Sequence, residues 1–252
     1  LICLRRYYKK RNFIFIKFNP EIIIGETTRE KNYQMNYNGN VRLIDELKAM
    51  NVKRRMELQE FDLMQPKFNA YINLNKYDFN KLNRNYRKKI KHGLNKGLSL
   101  TLGGPKDIDI LYSFIKDQTN RPISYYRNIY NVFNRDNSVD LVLVKVDYQK
   151  YLENVRDIYA QEQTNNDNWN MIIQTDARKK NLNAKMDSDK KLQGYKDEII
   201  KATQGLKKNR TEYIAAALVI KHFNRVSIFM SGFSKAHKHL NPNHFLYYSI
   251  LE

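Results

Sequence analysis

Apolar and polar positions along the chain alternate with two periods, and the switches between them outline the elements. The run "FIFIKF" (13–18), aromatic and β-branched, predicts a strand. The polar, Asn-rich "ETTREKNYQMNYNGN" predicts a loop and "VRLIDELKAM" a short amphipathic helix. In "PKFNAYINLN", Phe68, Ala70, Ile72 and Leu74 alternate with polar residues, as in a half-buried strand. A helix is predicted from Asp78, which can cap it, to Gly97, which can end it. Phe79, Leu82, Tyr86, Ile90 and Leu94 fall on one face of that helix, and Arg84, Arg87, Lys88 and Lys91 on the other.

Downstream, "LSLTLGG" reads as a strand ending in a glycine turn. "PKDIDILYSFIKDQTN" and "PISYYRNIYNVF" read as two helices, with Pro122 suited to the first position of the second. "VDLVLVKVD" (139–147) is a buried strand, and "EYIAAALVIKHF" with "RVSIFMSGF" an antiparallel pair turning at Asn224. A last helix begins near Pro242. Between the strands lies a long polar insertion. Within it, Leu192, Tyr195, Ile199, Ala202 and Leu206 keep the 3-4-3-4 spacing of a coiled-coil seam, and Tyr148, Leu152, Val155 and Tyr159 begin a second stripe. Two helices between consecutive strands must run out and back, so 148–209 reads as an antiparallel helical hairpin; the alternative is one helix with a disordered loop at "TNNDNWN". Strands alternating with helices give an α/β or α+β class.

Charge adds a partner class. The 252 residues carry 45 Lys+Arg against 26 Asp+Glu, a net charge of +19, which favours anionic partners such as nucleic acid, anionic lipid or phosphorylated substrates. The cations concentrate in "RNYRKKIKHGLNKGLSL", where Arg84, Arg87, Lys88, Lys89, Lys91 and Lys96 crowd into one helix and its turn beside His92. The residues alone leave two explanations, a solvated face or a polyanion lying against it. Cys3 is the only cysteine, so an intrachain disulfide is excluded and a reducing, cytoplasmic compartment is expected. The longest apolar run, "YIAAALVI", is too short to span a bilayer. The chain opens without methionine or a secretory layout and stops inside an apparent helix, which reads as a segment cut at both ends.

Chemical motifs are sparse. Neither phosphate-loop signature occurs, and one cysteine with scattered histidines cannot supply a zinc site. "HGLNKG" superficially resembles a coenzyme-A pyrophosphate loop but lies at a helix end, not between a strand and a helix N-terminus. His237, His239 and His244 cluster late in the chain, either as a general base or as surface histidines in a loop. Arg121 precedes a proline-started helix, where guanidinium and free N–H groups suit a phosphate; it could equally cap the helix before it.

Five stretches in order carry a resemblance: "FIKFNPEI", "MQPKFNAYINL", "LNRNYRKKIKHGLNKGLSL", "NRPISYYRNIYNVF" and "AALVIKHFNRVSIFMSGFSKAHKHLNPNHFLYYSIL". Together they resemble the Fem/MurM (FemABX) family of peptidoglycan-bridge aminoacyltransferases. The resemblance implies acetyltransferase-like (GNAT-like) subdomains: 1–63 as the C-terminal part of the first, 64–147 with 210–252 as a truncated second, and 148–209 as a coiled-coil arm. It implies transfer of an amino acid from aminoacyl-tRNA to an amine of lipid II or UDP-MurNAc-pentapeptide, with the tRNA as co-substrate and no cofactor. The setting would be cytoplasmic, with peripheral contact at the inner face of the membrane. Arg121 would hold the acceptor's phosphates, and Arg84, Lys88 and Lys91 would contact RNA or phosphate; the catalytic residues stay unassigned. Where relatives often place tyrosines, this chain has Ile228 and Met230. Two other functions fit the residues less fully: a non-catalytic RNA-binding protein with a coiled-coil arm, and an acyl-CoA-dependent N-acetyltransferase.

Overall fold

The structure is a computed structural model that describes residues 2–12, 23–27, 34–52 and 70–252. The chain divides into two compact units, 1–71 and 72–252. In the first, helix α1 (Ile2–Lys9) lies where no helix was expected, strands β1 (Gly25–Glu26) and β2 (Asn36–Tyr37) pair antiparallel, and α2 (Arg42–Ala49) is the amphipathic helix read from the sequence. The expected loop therefore holds one rung of sheet. "FIFIKF" lies outside the described residues, as does the start of "PKFNAYINLN".

The described remainder of that second run is not a strand. Asn73 accepts a hydrogen bond from the Asn75 N–H at 3.0 Å and caps a 3-10 turn over Leu74–Lys76, leaving Ile72 and Leu74 exposed. Local side-chain-to-backbone bonding has outcompeted the alternating pattern. The same effect shortens the basic helix. Asp78 caps a separate 3-10 turn, Phe79–Lys81, and the helix proper, α3 (Arg84–Asn95), starts from Asn83, whose side chain accepts the Asn85 N–H at 2.9 Å. Gly97, at φ +70°, ends it as expected.

The second unit is built on a four-stranded antiparallel sheet: β3 (Leu98–Gly103), β4 (Val139–Asp147), β5 (Thr211–His222) and β6 (Arg225–Phe233), in that order. Alternation along the strands makes two cores. Leu98, Val142, Val144, Val146, Ala215 and Ala217 face one side. Leu141, Leu143, Ala216 and Leu218 face the other, under α4 (Ile108–Ile115) and α5 (Ile123–Phe133). Pro122 sits one place earlier than expected, as the cap before α5. The first face is covered by α8 (Pro242–Leu251) and by the base of the hairpin formed by α6 (Tyr148–Thr175) and α7 (Lys179–Lys208).

The hairpin is continuous helix on both sides of a turn at 176–178, so "TNNDNWN" is helical and not a disordered loop. Its proximal half packs Leu152, Val155 and Ala202 into the first core, and Leu192 is buried farther along α7. Farther out the seam turns polar: Asn166 donates to Ser188 Oγ (3.1 Å) and Asp189 Oδ1 (2.9 Å), and Ser188 donates to Glu162 (2.6 Å). A buried amide of this kind holds helices in one register. The two hairpin glycines should behave oppositely. A Cβ on Gly205 would lie 2.2 Å from the Tyr148 ring, whereas one on Gly194 meets nothing within 4 Å. Gly205→Ala is expected to destabilise by about 1–3 kcal/mol and Gly194→Ala to stabilise by roughly 0.8–1.0 kcal/mol, read from urea unfolding of each variant.

Candidate functional site

Arg121 lies in the α4–α5 connection, and its backbone is fixed from three directions. Its N–H donates to Thr119 Oγ1 (3.1 Å), the Tyr126 hydroxyl donates to the same oxygen (2.9 Å), and the Tyr112 hydroxyl donates to the Arg121 carbonyl (3.4 Å). Tyr126 is itself buried in the second core, so the connection is tied to the sheet. The guanidinium lies over the Tyr125 ring, 5.1 Å from its centroid, and has no carboxylate partner among the described residues. It donates to no carbonyl of the preceding helix, so the helix-capping alternative is not what the geometry shows. The first N–H groups of α5 open beside it, as at any helix start.

The far wall comes from β6. Between Leu218 and Val219 the β5–β6 register slips by one, so that Leu218 opposes Met230 and Val219 opposes Ile228. The extra residue is Phe229. A bulge puts two consecutive side chains on one face: Met230 packs on the second core, and the Phe229 ring reaches 6.5 Å from Tyr125. Arg121, Tyr125 and Phe229 thus form one cation-and-aromatic surface at the edge of the sheet. Ile228 points to the opposite face and stays exposed.

Arg84, Lys88 and Lys91 form the expected exposed stripe along α3 and have no ion-pair partner among the described residues. They are not brought together with Arg121. Gly93 of α3 packs on Leu98, Leu240 and Phe245, which places that helix on the first-core side, while Arg121 belongs to the second. The rest of the basic cluster splits up. Lys89 reaches His244 (3.4 Å), and Arg87 is half-buried. Lys96 is 5% exposed and bonds Glu198 of α7 at 2.5 Å, with its ammonium 5.5 Å from the Tyr151 ring. Burial pushes Lys96 below the ordinary lysine range and Glu198 pulls it back.

The three late histidines also separate. His244 stands in a groove of about 420 Å³ between α3 and α8, walled by Tyr77, Tyr86, Ile90, Tyr247 and Tyr248. His239 is exposed overall, and partial desolvation of its imidazole, then Lys201, lowers its pKa. His237 joins a chain at the hairpin base: Ser234 Oγ lies 2.8 Å from its Nδ1, its Nε2 lies 2.9 Å from the Tyr148 hydroxyl, and that hydroxyl donates to Glu212 (3.0 Å). The tautomer that satisfies every group has Ser234 donating to Nδ1 and Nε2–H donating to Tyr148. Burial, then the bond to Glu212, raises the Tyr148 phenol far above its usual range, so it remains a donor. The His237 chain was not legible in the sequence, because its members lie up to 89 positions apart; nor was the His92–Asn241 pair (3.1 Å), 149 positions apart.

Helices packed on both faces of a four-stranded antiparallel sheet define an α+β protein, with Arg121 unpaired among the described residues at the start of α5. The FemAB family model matches residues 1–252, and the chain belongs to that family. Among curated proteins it is similar to the lipid II:glycine glycyltransferase of Staphylococcus aureus, 22% identical over 223 residues, covering 83% of this chain and 53% of the relative; the same protein of strain USA300 matches equally. The chain thus spans about half the length of the curated relatives it matches. A crystal structure of FemX shares the fold, with a TM-score of 0.57 and 19% identity over 84% of this chain and 56% of that one.

Proposed function

We propose that this chain is part of an aminoacyltransferase that moves an amino acid from aminoacyl-tRNA to an amine of a peptidoglycan precursor, lipid II or UDP-MurNAc-pentapeptide. The observation that carries the reading is Arg121, which a FemAB-family chain holds rigidly, unpaired, over Tyr125 at the start of α5. A diphosphate fits there, because fork and helix N–H groups both donate. In this reading 64–147 with 210–252 form an acetyltransferase-like subdomain, 1–63 the end of another, and 148–209 a coiled-coil arm. The setting is the cytoplasmic face of the membrane; among the described residues no helix is long and apolar enough to cross it.

The chemistry needs no cofactor. A neutral amine attacks the ester carbonyl, the new C–N bond replaces the C–O bond, and the amine's proton leaves with the ribose hydroxyl. The protein's task is to position both partners and to stabilise the oxyanion. Supplying the full-length protein with charged tRNA and lipid II should yield a new isopeptide product; absence of product with every aminoacyl-tRNA tried would refute the reading.

Arg84, Lys88 and Lys91 are assigned to the RNA. Changing all three to Gln should weaken tRNA binding and flatten its salt dependence by roughly two to three units of log–log slope. An unchanged slope would leave the stripe as solvated surface.

A further inference from the structure

The groove between α3 and α8 lies on the first-core side of the sheet, away from Arg121. Its volume of about 420 Å³ falls in the range of small-ligand pockets, roughly 300–1,000 Å³. Tyrosine rings with Ile90 and Leu251 make its walls largely apolar. Yet three groups in those walls hold hydrogen-bonding capacity that no described residue uses. The Tyr77 hydroxyl is buried without a partner. The Asn243 amide bonds nothing. His244 accepts from Lys89 at Nε2 (3.4 Å), because an ammonium can only donate, so its proton sits on Nδ1 with no acceptor. Burial, then Lys89, lowers the His244 pKa and keeps the ring neutral. A buried donor left unspent costs free energy that a ligand's acceptor restores.

These groups select the ligand's chemistry. Tyr86 is 55% exposed and offers an open face to another flat ring, with the His244 ring beside it at 5.5 Å between centroids. The Lys89 ammonium lies 6.0 Å from the same Tyr86 ring and has no carboxylate partner among the described residues. The carboxylates of Asp78 and Glu252 act at the Tyr77 end, so an anion belongs at the Lys89 end. A purely apolar ligand would leave Tyr77, Asn243 and the His244 Nδ1–H unspent. A proline-rich peptide offers carbonyls but few N–H groups for Asn243 and no anion for Lys89. A nucleotide supplies all of them: a flat ring, ring acceptors, an exocyclic amine and a phosphate.

We propose that this groove is a nucleotide-binding site: a nucleobase stacks on Tyr86, its edge meets the Tyr77 hydroxyl and the Asn243 amide, and its phosphate meets Lys89. The site does not depend on the acceptor reading above. Adenine is the base of choice, because a side-chain amide pairs with its amine and neighbouring ring nitrogen in two bonds. The same chemistry is present in a free nucleotide and at an unpaired RNA end.

The test is calorimetric titration of the full-length protein with AMP, with ribose phosphate, which lacks the base, and with a short single-stranded oligoadenylate. AMP should bind and ribose phosphate should not. Tyr86→Ala should weaken AMP binding by roughly 5- to 150-fold, the worth of one base stacked on a ring, with little change in urea midpoint, and Tyr86→Trp should restore it. Tyr77→Phe separates binding from folding: it removes a hydroxyl that has no partner, so it should unfold at no lower urea, yet it should bind AMP more weakly. Lys89→Gln should weaken AMP and leave adenosine, which has no phosphate, unchanged. Tighter binding of the oligoadenylate than of AMP assigns the site to an RNA end, and equal or weaker binding assigns it to a free nucleotide. Absence of AMP and oligoadenylate binding would overturn the proposal. So would AMP binding that Tyr86→Ala and Tyr77→Phe leave intact, ribose phosphate binding as well as AMP, or a proline-rich peptide binding where no nucleotide does.

Discussion

Arg121→Ala in the full-length enzyme is expected to raise the acceptor's KM by roughly 10- to 100-fold, the worth of one charge-assisted contact of about 1.5–3 kcal/mol. The guanidinium has no carboxylate to release among the described residues, so little folding stability is expected to go with it. Arg121→Lys keeps the charge but loses the fork and the flat stack on Tyr125, and should fall between alanine and the parent. Because the α3 stripe packs on the opposite side of the sheet, tRNA affinity should stay near its parental value. Loss of tRNA and acceptor binding together would mean that one surface serves both and that this division of labour is wrong. Tyr125→Leu offers a second check: it removes the platform while leaving the charge, and should raise KM with kcat preserved.

Glu198→Ala should be the most destabilising of the changes considered, by about 3–5 kcal/mol, because it leaves the ammonium of Lys96 buried without its partner. Lys96 ends α3 and Glu198 belongs to α7, so the pair joins the basic helix to the arm. Lys96→Met with Glu198→Gln removes both charges and should recover much of the loss. Urea midpoints of the two single variants and the double variant decide it; an additive double variant would show that the pair is not coupled.

Mild acid acts on the same junction. Half-buried His92 accepts from the Asn241 amide at Nδ1, and burial, then Lys96, lowers its pKa. The folded state therefore holds His92 neutral while the unfolded state takes up its proton near pH 6.5, and stability should fall as pH drops through that value. His92→Gln should reduce that slope.

Much of the second unit could be read from apolar spacing. β3 to β6, α4, α5, α8 and the hairpin follow from periods of 2 and 3.6, because burying one face forces the pattern into the residues themselves. The readings that failed lie where asparagine and aspartate compete for the backbone: Asn73 replaced a strand with a turn, and Asn83 moved the start of α3 by several residues. Lys96 was misread for a different reason. A lysine one residue before Gly97 looks like the rest of its run, and only the return of α7, 102 positions later, buries it against Glu198.

By itself, then, the sequence determined the class of fold, the insertion between β4 and β5, the excess of cations and the setting of Arg121 before a helix, since each rests on neighbours within a turn or a strand. Tertiary structure alone decided which cations stay in water, that Arg121 and the α3 stripe lie on opposite sides of the sheet, and that the Phe229 bulge completes the surface over Tyr125. Those outcomes depend on strand register and on long-range burial, for which residues close in the chain carry no signal.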